Sequence, residues 1–221
     1  MLIDLHLHVQ EYSADSHLPV RAAIARAKEM GLDALCITDH DTLGILETID
    51  ALREETGFLL FPGAEYLTLD GDFVVFGLTE LPAPGLSAQA LLDHVHAHGG
   101  AAICCHPFRT NNRGAGDKAR QLTHLQGVEC FNGSTSQPHN LRALRMADDL
   151  GLARIGASDA HRVDRVGRFA TRFLTPIHSL QDLIHALHEG KTVPVMYQDN
   201  GFIDVLDSPY CRQAPEGDAD L

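Results

Sequence analysis

Basic residues are scarce in this chain, and apolar runs long enough to cross a membrane are missing. Seventeen Lys and Arg stand against 30 Asp and Glu, a formal net charge of −13 over 221 residues. A protein that coats nucleic acid or an anionic bilayer through charge needs Lys/Arg stripes, which this balance does not supply. A small anionic substrate stays compatible, because a local site can oppose the global field. The opening stretch MLIDLHLH has no basic segment followed by an apolar one, as a secretory signal would. No segment approaches the roughly 20 apolar residues of a membrane helix. A cytoplasmic protein without membrane contact is expected. No CxxC pair occurs, and four of the five cysteines (Cys36, Cys104, Cys105 and Cys130, but not Cys211) fall in apolar runs. They read as reduced core thiols.

Histidine, in contrast, is plentiful. Its 14 copies outnumber the nine Phe and four Tyr together. It is the commonest metal ligand and a frequent acid or base. The 44% hydrophobic content excludes general disorder. A single α/β barrel fits the length.

Short apolar runs at 3–8, 34–38, 59–63, 101–105, 127–131, 153–157 and 171–175 read as strands. Helical patterns lie at 19–30, 43–56, 87–98, 138–150 and 179–189, each stopped by a glycine, with a looser one at 116–125. Residues 66–78 read as a hairpin about Asp70-Gly71. Seven strand–helix units in succession predict a parallel sheet with right-handed crossovers, closed as a distorted (β/α)7 barrel or open and doubly wound. Residues 1–197 are expected to form one domain and 198–221 a carboxyl-terminal extension, disordered over 212–221.

In such folds chemistry gathers at the carboxyl ends of the strands. Six successive strand ends here carry His, Asp or Glu: His6 and His8, Asp39 and His40, Glu65, His106, Glu129 with Asn132, and Asp159 with His161. His6 and His8 alternate, so they share a face. Two imidazoles side by side in an apolar strand are costly unless paired or bound to metal. One such histidine alone reads as a satisfied core residue; His6, His8, His40, His106 and His161 together read as a metal centre. Imidazole with carboxylate suits Zn2+, Mn2+ or Fe2+ better than Ca2+ or Mg2+.

The segments DLHLHVQEYSAD (4–15), ITDHDTLG (37–44), PGAEY (62–66), CHPF (105–108) and ASDAH (157–161) resemble, in order, the successive motifs of the polymerase and histidinol phosphatase (PHP) domain superfamily. GVECFNG (127–133) resembles that family's fifth strand. The resemblance implies a (β/α)7 barrel that binds two or three divalent metal ions and hydrolyses phosphoesters. Carried over by motif, it places His6, His8, Glu65 and Asp159 at one metal, with Glu65 bridging to a second that His106 also holds. Asp15, His40 and His161 make the third site, and Asp39 orients His40 or a metal ligand. One departure stands out. Many family members carry a histidine on the hairpin after the bridging glutamate, where Val74 stands here.

The implied reaction is in-line attack on phosphorus by a metal-bridged hydroxide. Its catalytic set is Glu65, Asp159, His161 and Arg109. Arg109 is the first candidate for the phosphate, ahead of Arg113 and Arg162, because a guanidinium matches phosphate through its fork of donors. Each also reads as a solvated surface charge. His94, His96, His98, His185 and His188 sit in last helical turns and read as end caps. The expected substrate is a small phosphomonoester or nucleotide. A nuclease trimming nucleic acid ends and a metal-binding module without turnover are the alternatives.

Overall fold

The computed structural model describes residues 1–212. Its strands are β1 (Leu2–Asp4), β2 (Ala34–Ile37), β3 (Leu59–Thr68), β4 (Gly71–Phe76), β5 (Ala101–Cys104), β6 (Gly127–Asn132), β7 (Ala153–Ala157), β8 (Phe169–Phe173), β9 (Thr192–Gln198) and β10 (Gly201–Asp204). The helices are α1 (Val20–Met30), α2 (Ile49–Thr56), α3 (Ala88–Ala97), α4 (Gln137–Leu150), α5 (Leu180–Glu189) and the single turn α6 (Pro209–Arg212). All ten strands join one sheet in the order β10-β9-β8-β1-β2-β3-β4-β5-β6-β7.

That sheet curls into a distorted barrel of β1 to β7. At its top, Leu7 bridges Ala160 in parallel, with His8 N donating to Ala160 O at 2.9 Å and Asp159 N to His6 O at 2.8 Å. Lower down, β8 lies beside β1, and its side chains join it to β7. Thr171 Oγ1 donates to Gly156 O at 2.8 Å and accepts from Gly156 N at 3.1 Å. The backbones come so close that a Cβ on Gly156 would lie 2.6 Å from Ala170 O.

The sheet is less parallel than the strand–helix count predicts. β4 runs antiparallel to β3 and β5, and β8 antiparallel to β1. The Asp70-Gly71 turn folds β3 directly back as β4. Between β7 and β8 only a three-residue 3-10 turn intervenes, too little for a helical crossover. Two predicted helices are also reduced. The 43–56 pattern splits into the 3-10 turn Gly44–Glu47 and α2, and 116–125 forms the 3-10 helix Gly116–Gln121. The segment from 193 onward forms most of β9, then β10 and α6, extending the sheet. Of the stretch 212–221, Arg212 closes α6; the rest lies outside the described residues.

Three apolar layers hold the barrel. Its interior packs Ile3, Leu5, Cys36, Phe61, Phe76 and Ile103, and α5 supplies Leu183, Ile184 and Leu187 to the same cluster. Leu7 joins α1 and α2 outside β1 to β3. The chain therefore changes face between Leu5 and Leu7, which turns His6 and His8 inward. Outside β4 to β6 lie α3, α4 and Val205. Cys36, Cys104, Cys105 and Cys130 are buried free thiols, as expected, and Cys211 is half-buried and free. Among the described residues no helix is long and apolar enough to cross a membrane.

Candidate metal centre

Every predicted ligand but Glu65, which lies within β3, comes from the loop that follows a strand, and all lie at one end of the barrel. Four donor atoms from three segments converge at its centre. His8 Nε2 lies 3.0 Å from His6 Nε2, 3.3 Å from Glu65 Oε2 and 3.4 Å from Asp159 Oδ1. His6 Nε2 lies 3.5 Å from the same Glu65 oxygen and 3.6 Å from the same Asp159 oxygen. Ligands about 2.0–2.1 Å from a tetrahedral metal are about 3.3–3.4 Å apart, so the spacing fits a divalent ion. All four side chains are 2% exposed or less.

Glu65 reaches two further groups. Its Oε1 lies 2.9 Å from His106 Nε2, and its Oε2 lies 2.8 Å from His40 Nδ1. His40 Nε2 is 3.1 Å, and His161 Nε2 3.4 Å, from Asp15 Oδ2. The His8 ring stacks on both His40 and His161, at 4.1 and 4.4 Å, and those two rings lie 5.9 Å from each other. Asp15, His40 and His161 are the more exposed members and mark the mouth.

The electrostatics give His8, Glu65 and Asp159 the protonation states of ligands, while His6 holds a proton that a bound metal ion would displace. Burial pushes the His8 pKa down to about 4, so the ring is a neutral imidazole. Burial disfavours ionised Glu65 and Asp159, but His6 and the neighbouring histidines outweigh it and hold both carboxyls well below the usual range. Burial likewise opposes charge on His6, yet Glu129, Asp159 and Glu65 raise its pKa well above the ordinary value. Buried polar atoms are usually hydrogen-bonded, yet here Nδ1 of His8, Nδ1 of His106, Oδ1 of Asp72 and Oδ2 of Asp39 have no partner among the described residues. Burial holds the Cys105 thiol well above its usual pKa.

The surrounding residues fix the cluster. Glu129 Oε1 lies 2.9 Å from His6 Nδ1, which turns Nε2 toward the centre, and its Oε2 accepts from His106 N at 2.8 Å and Asn132 Nδ2 at 2.9 Å. Asp39 does not reach the His40 ring. Its Oδ1 accepts from Val9 N at 2.8 Å and Ser13 Oγ at 2.7 Å, and Ser13 Oγ accepts from His40 N at 3.2 Å. His106 and Asp159 adopt φ of 26° and 50°, a strained region for such residues that is tolerated where the surroundings dictate it.

Arg109 is drawn into the cluster. Its Nη2 donates to Asp159 Oδ2 and, at 2.8 Å, to Asn132 Oδ1. Its Nη1 makes no hydrogen bond among the described residues. Arg113 Nε donates to Asp72 Oδ2 at 2.6 Å, and Arg113 Nη2 is 3.3 Å from His40 Nδ1. Arg162 lies outside the cluster, paired with Asp164 at 3.1 Å.

Two residues escape sequence reasoning as members of the centre. Asp4 accepts from Ser158 N at 2.9 Å and Gly167 N at 3.1 Å, tying β1 to the β7–β8 connection. Asp72 is fully buried, and its Oδ2 lies 4.0 Å from His106 Nε2. Glu65, Asp72 and His106 offer ligand atoms within 4.8 Å of one another. The signal was present: Asp72 lies two residues before Val74, which pairs with Glu65, so all three share a strand face.

The profile of the PHP domain family matches residues 4–81, which carry His6, His8, Asp15, His40 and Glu65. A PHP-associated profile matches 137–192, which carry Asp159 and His161. An uncharacterized protein of Methanocaldococcus jannaschii is 34% identical over 143 residues, covering 60% of this chain and 82% of that one. A second from the same organism is 28% identical over 182 residues, covering 78% and 70%. The chain belongs to the PHP domain family. Three solved structures share its fold. A candidate metal-dependent phosphoesterase of Bifidobacterium adolescentis has 17% identity and a TM-score of 0.61 over 72% of this chain and 87% of that one. An amidohydrolase of Chromobacterium violaceum, crystallised with sulfate, has 18% identity and a TM-score of 0.61 over 89% and 98%. A lesion-specific endonuclease of Pyrococcus furiosus has 16% identity and a TM-score of 0.59 over 86% and 56%.

Proposed function

We propose that the protein is a metal-dependent phosphoesterase acting on small phosphorylated substrates. The observation that carries this reading is the convergence of His6, His8, Glu65 and Asp159, with donor atoms 3.0–3.6 Å apart in a buried site. The convergent Nε2 and carboxylate donors and the neutral His8 ring fit a divalent ion, and mixed N/O donors suit Mn2+, Zn2+ or Fe2+. His6, His8, Glu65 and Asp159 hold one ion. Glu65, His106 and Asp72 hold a second, with Asp72 in place of the hairpin histidine. Asp15, His40 and His161 hold a third.

Ions bound there supply Lewis acidity, which lowers the pKa of water and offsets charge on a phosphoryl group. The chain's own residues prepare that chemistry. Glu129 sets the tautomer and aim of His6. Arg109 braces Asp159 and presents Nη1 toward a phosphate oxygen. Arg113 braces Asp72 and balances the carboxylates around Glu65. His40 and His161 stand at the mouth, where a substrate enters.

The test is phosphate release from a panel of phosphomonoesters, nucleotides and short oligonucleotides after reconstitution with each metal. Release lost in His8→Ala supports the reading; no release from any substrate by metal-loaded protein refutes it. The shared fold of the Pyrococcus furiosus endonuclease motivates a second reading, action on nucleic acid ends. Activity on oligonucleotides that falls steeply with salt would favour it. The net charge of −13 argues for a short footprint in that case.

A further inference from the structure

We propose that the substrate carries a second anionic group, held apart from the scissile phosphate in an arginine-lined cleft beside the metal centre. The proposal rests on the phosphoesterase reading above and names the class of substrate that the site takes. A cleft of about 640 Å3 opens from Asp159 and His161 and is lined by Arg109, Arg162, Arg165 and Arg168. That volume suits a small organic ligand.

The charge there runs against the rest of the molecule. The chain has only 17 basic residues and a net charge of −13, yet four arginines face one cleft. The carboxylates facing it are fewer. Asp159 lines the cleft but is engaged by Arg109. Asp164, on the intervening 3-10 turn, lies 3.1 Å from Arg162 Nε and 3.9 Å from Arg165 Nε. Those two arginine side chains are 69% and 51% exposed. Such surface pairs hold weakly and exchange readily for a better anion. Arg168 is anchored, with Nη1 donating to Gly133 O at 3.0 Å.

One phosphoryl group at the metal centre already meets the ions and Arg109. Three further guanidinium groups exceed what it can use. The backbone adds to them. Gly133, Ser134, Thr135 and Ser136 line the same cleft and lead into α4, which has no acidic residue in its first turn and no side-chain cap from Ser136. That helix end favours negative charge. A phosphate or carboxylate carried on the substrate beyond the scissile ester satisfies these groups, and guanidinium forks match either one.

Substrate pairs differing only in the second anion test this on the metal-loaded protein. Suitable pairs are glycerol 3-phosphate with 3-phosphoglycerate, fructose 6-phosphate with fructose 1,6-bisphosphate, and a nucleoside 5′-phosphate with the same nucleotide carrying a 3′-methyl phosphodiester. They separate carboxylate, monoester and diester as the second group. At least one pair is expected to favour the second-anion member by about tenfold or more in kcat/KM. That ratio is expected to fall toward one in Arg162→Ala/Arg165→Ala and at raised ionic strength. Hydrolysis with ratios near one, or a preference that the double substitution leaves intact, overturns the inference and leaves the phosphoesterase reading standing. No hydrolysis of any phosphoester overturns the reading itself.

Discussion

Asp72 on β4 faces His106 just past the neighbouring β5, with Oδ2 4.0 Å from Nε2, in the neighbourhood where the family pattern asks for a histidine and this chain has Val74. The carboxylate is fully buried, and burial raises its pKa to about 6. A buried carboxylate with one unpartnered oxygen is costly unless a cation completes it. Asp72→Asn is expected to remove one bound metal equivalent, or to weaken it about tenfold or more. Equilibrium dialysis followed by elemental analysis reads this directly. Unchanged stoichiometry and affinity would assign Asp72 to Arg113 alone.

Glu129 touches no predicted substrate position, yet it aims His6. Glu129→Ala should lower metal affinity or kcat/KM by about 10–100-fold. Unfolding in denaturant should show whether the fold survives. An effect on stability with metal binding intact would reduce Glu129 to a structural role.

The barrel seam makes a separate prediction. A Cβ at Gly156 would meet Ala170 O at 2.6 Å, and the two strands have no slack there. Gly156→Ala is expected to cost about 1–3 kcal/mol, the usual range for overpacking. Denaturant midpoints measure this. A neutral substitution would mean that the edges part easily.

Metal removal should destabilise the fold. Glu65 and Asp159 are buried carboxylates beside five imidazoles, and an ion that binds there only in the folded state raises Tm by mass action. Chelator-treated protein should melt at lower temperature, and added Mn2+ should restore the transition. The same Tm with and without metal would argue against binding at these residues.

The fold was legible where periodicity and punctuation agreed. Helices ending at Gly31, Gly57, Gly151 and Gly190 stop there in left-handed conformation. Strand direction was less legible. Nothing local in FATRF tells that β8 runs antiparallel to β1; the short preceding connection does. The change of face between Leu5 and Leu7 was also hidden, because it follows from the bridge that Leu7 makes to Ala160 across 153 residues of chain.

The candidate site was legible to the extent that its residues stand at strand ends. His6, His8, His106 and Asp159 follow strand ends, and the barrel gathers them around Glu65, which lies within β3. Asp72 and Glu129 lie within strands, where a carboxylate reads as ordinary until its neighbours are known. Arg109 carried a signal for charge but none for its partner. Its pairing with Asp159 depends on a loop crossing from β5 to β7, which no local pattern encodes.

The most direct test titrates divalent metal into chelator-treated protein, reading bound metal per chain and phosphate release on the same samples. The expected result is activity that rises with bound Mn2+, Zn2+ or Fe2+, with both signals depressed in His6→Ala and Asp159→Asn. Phosphate release that persists without metal, or stoichiometric metal binding with no phosphoester hydrolysed, would contradict it.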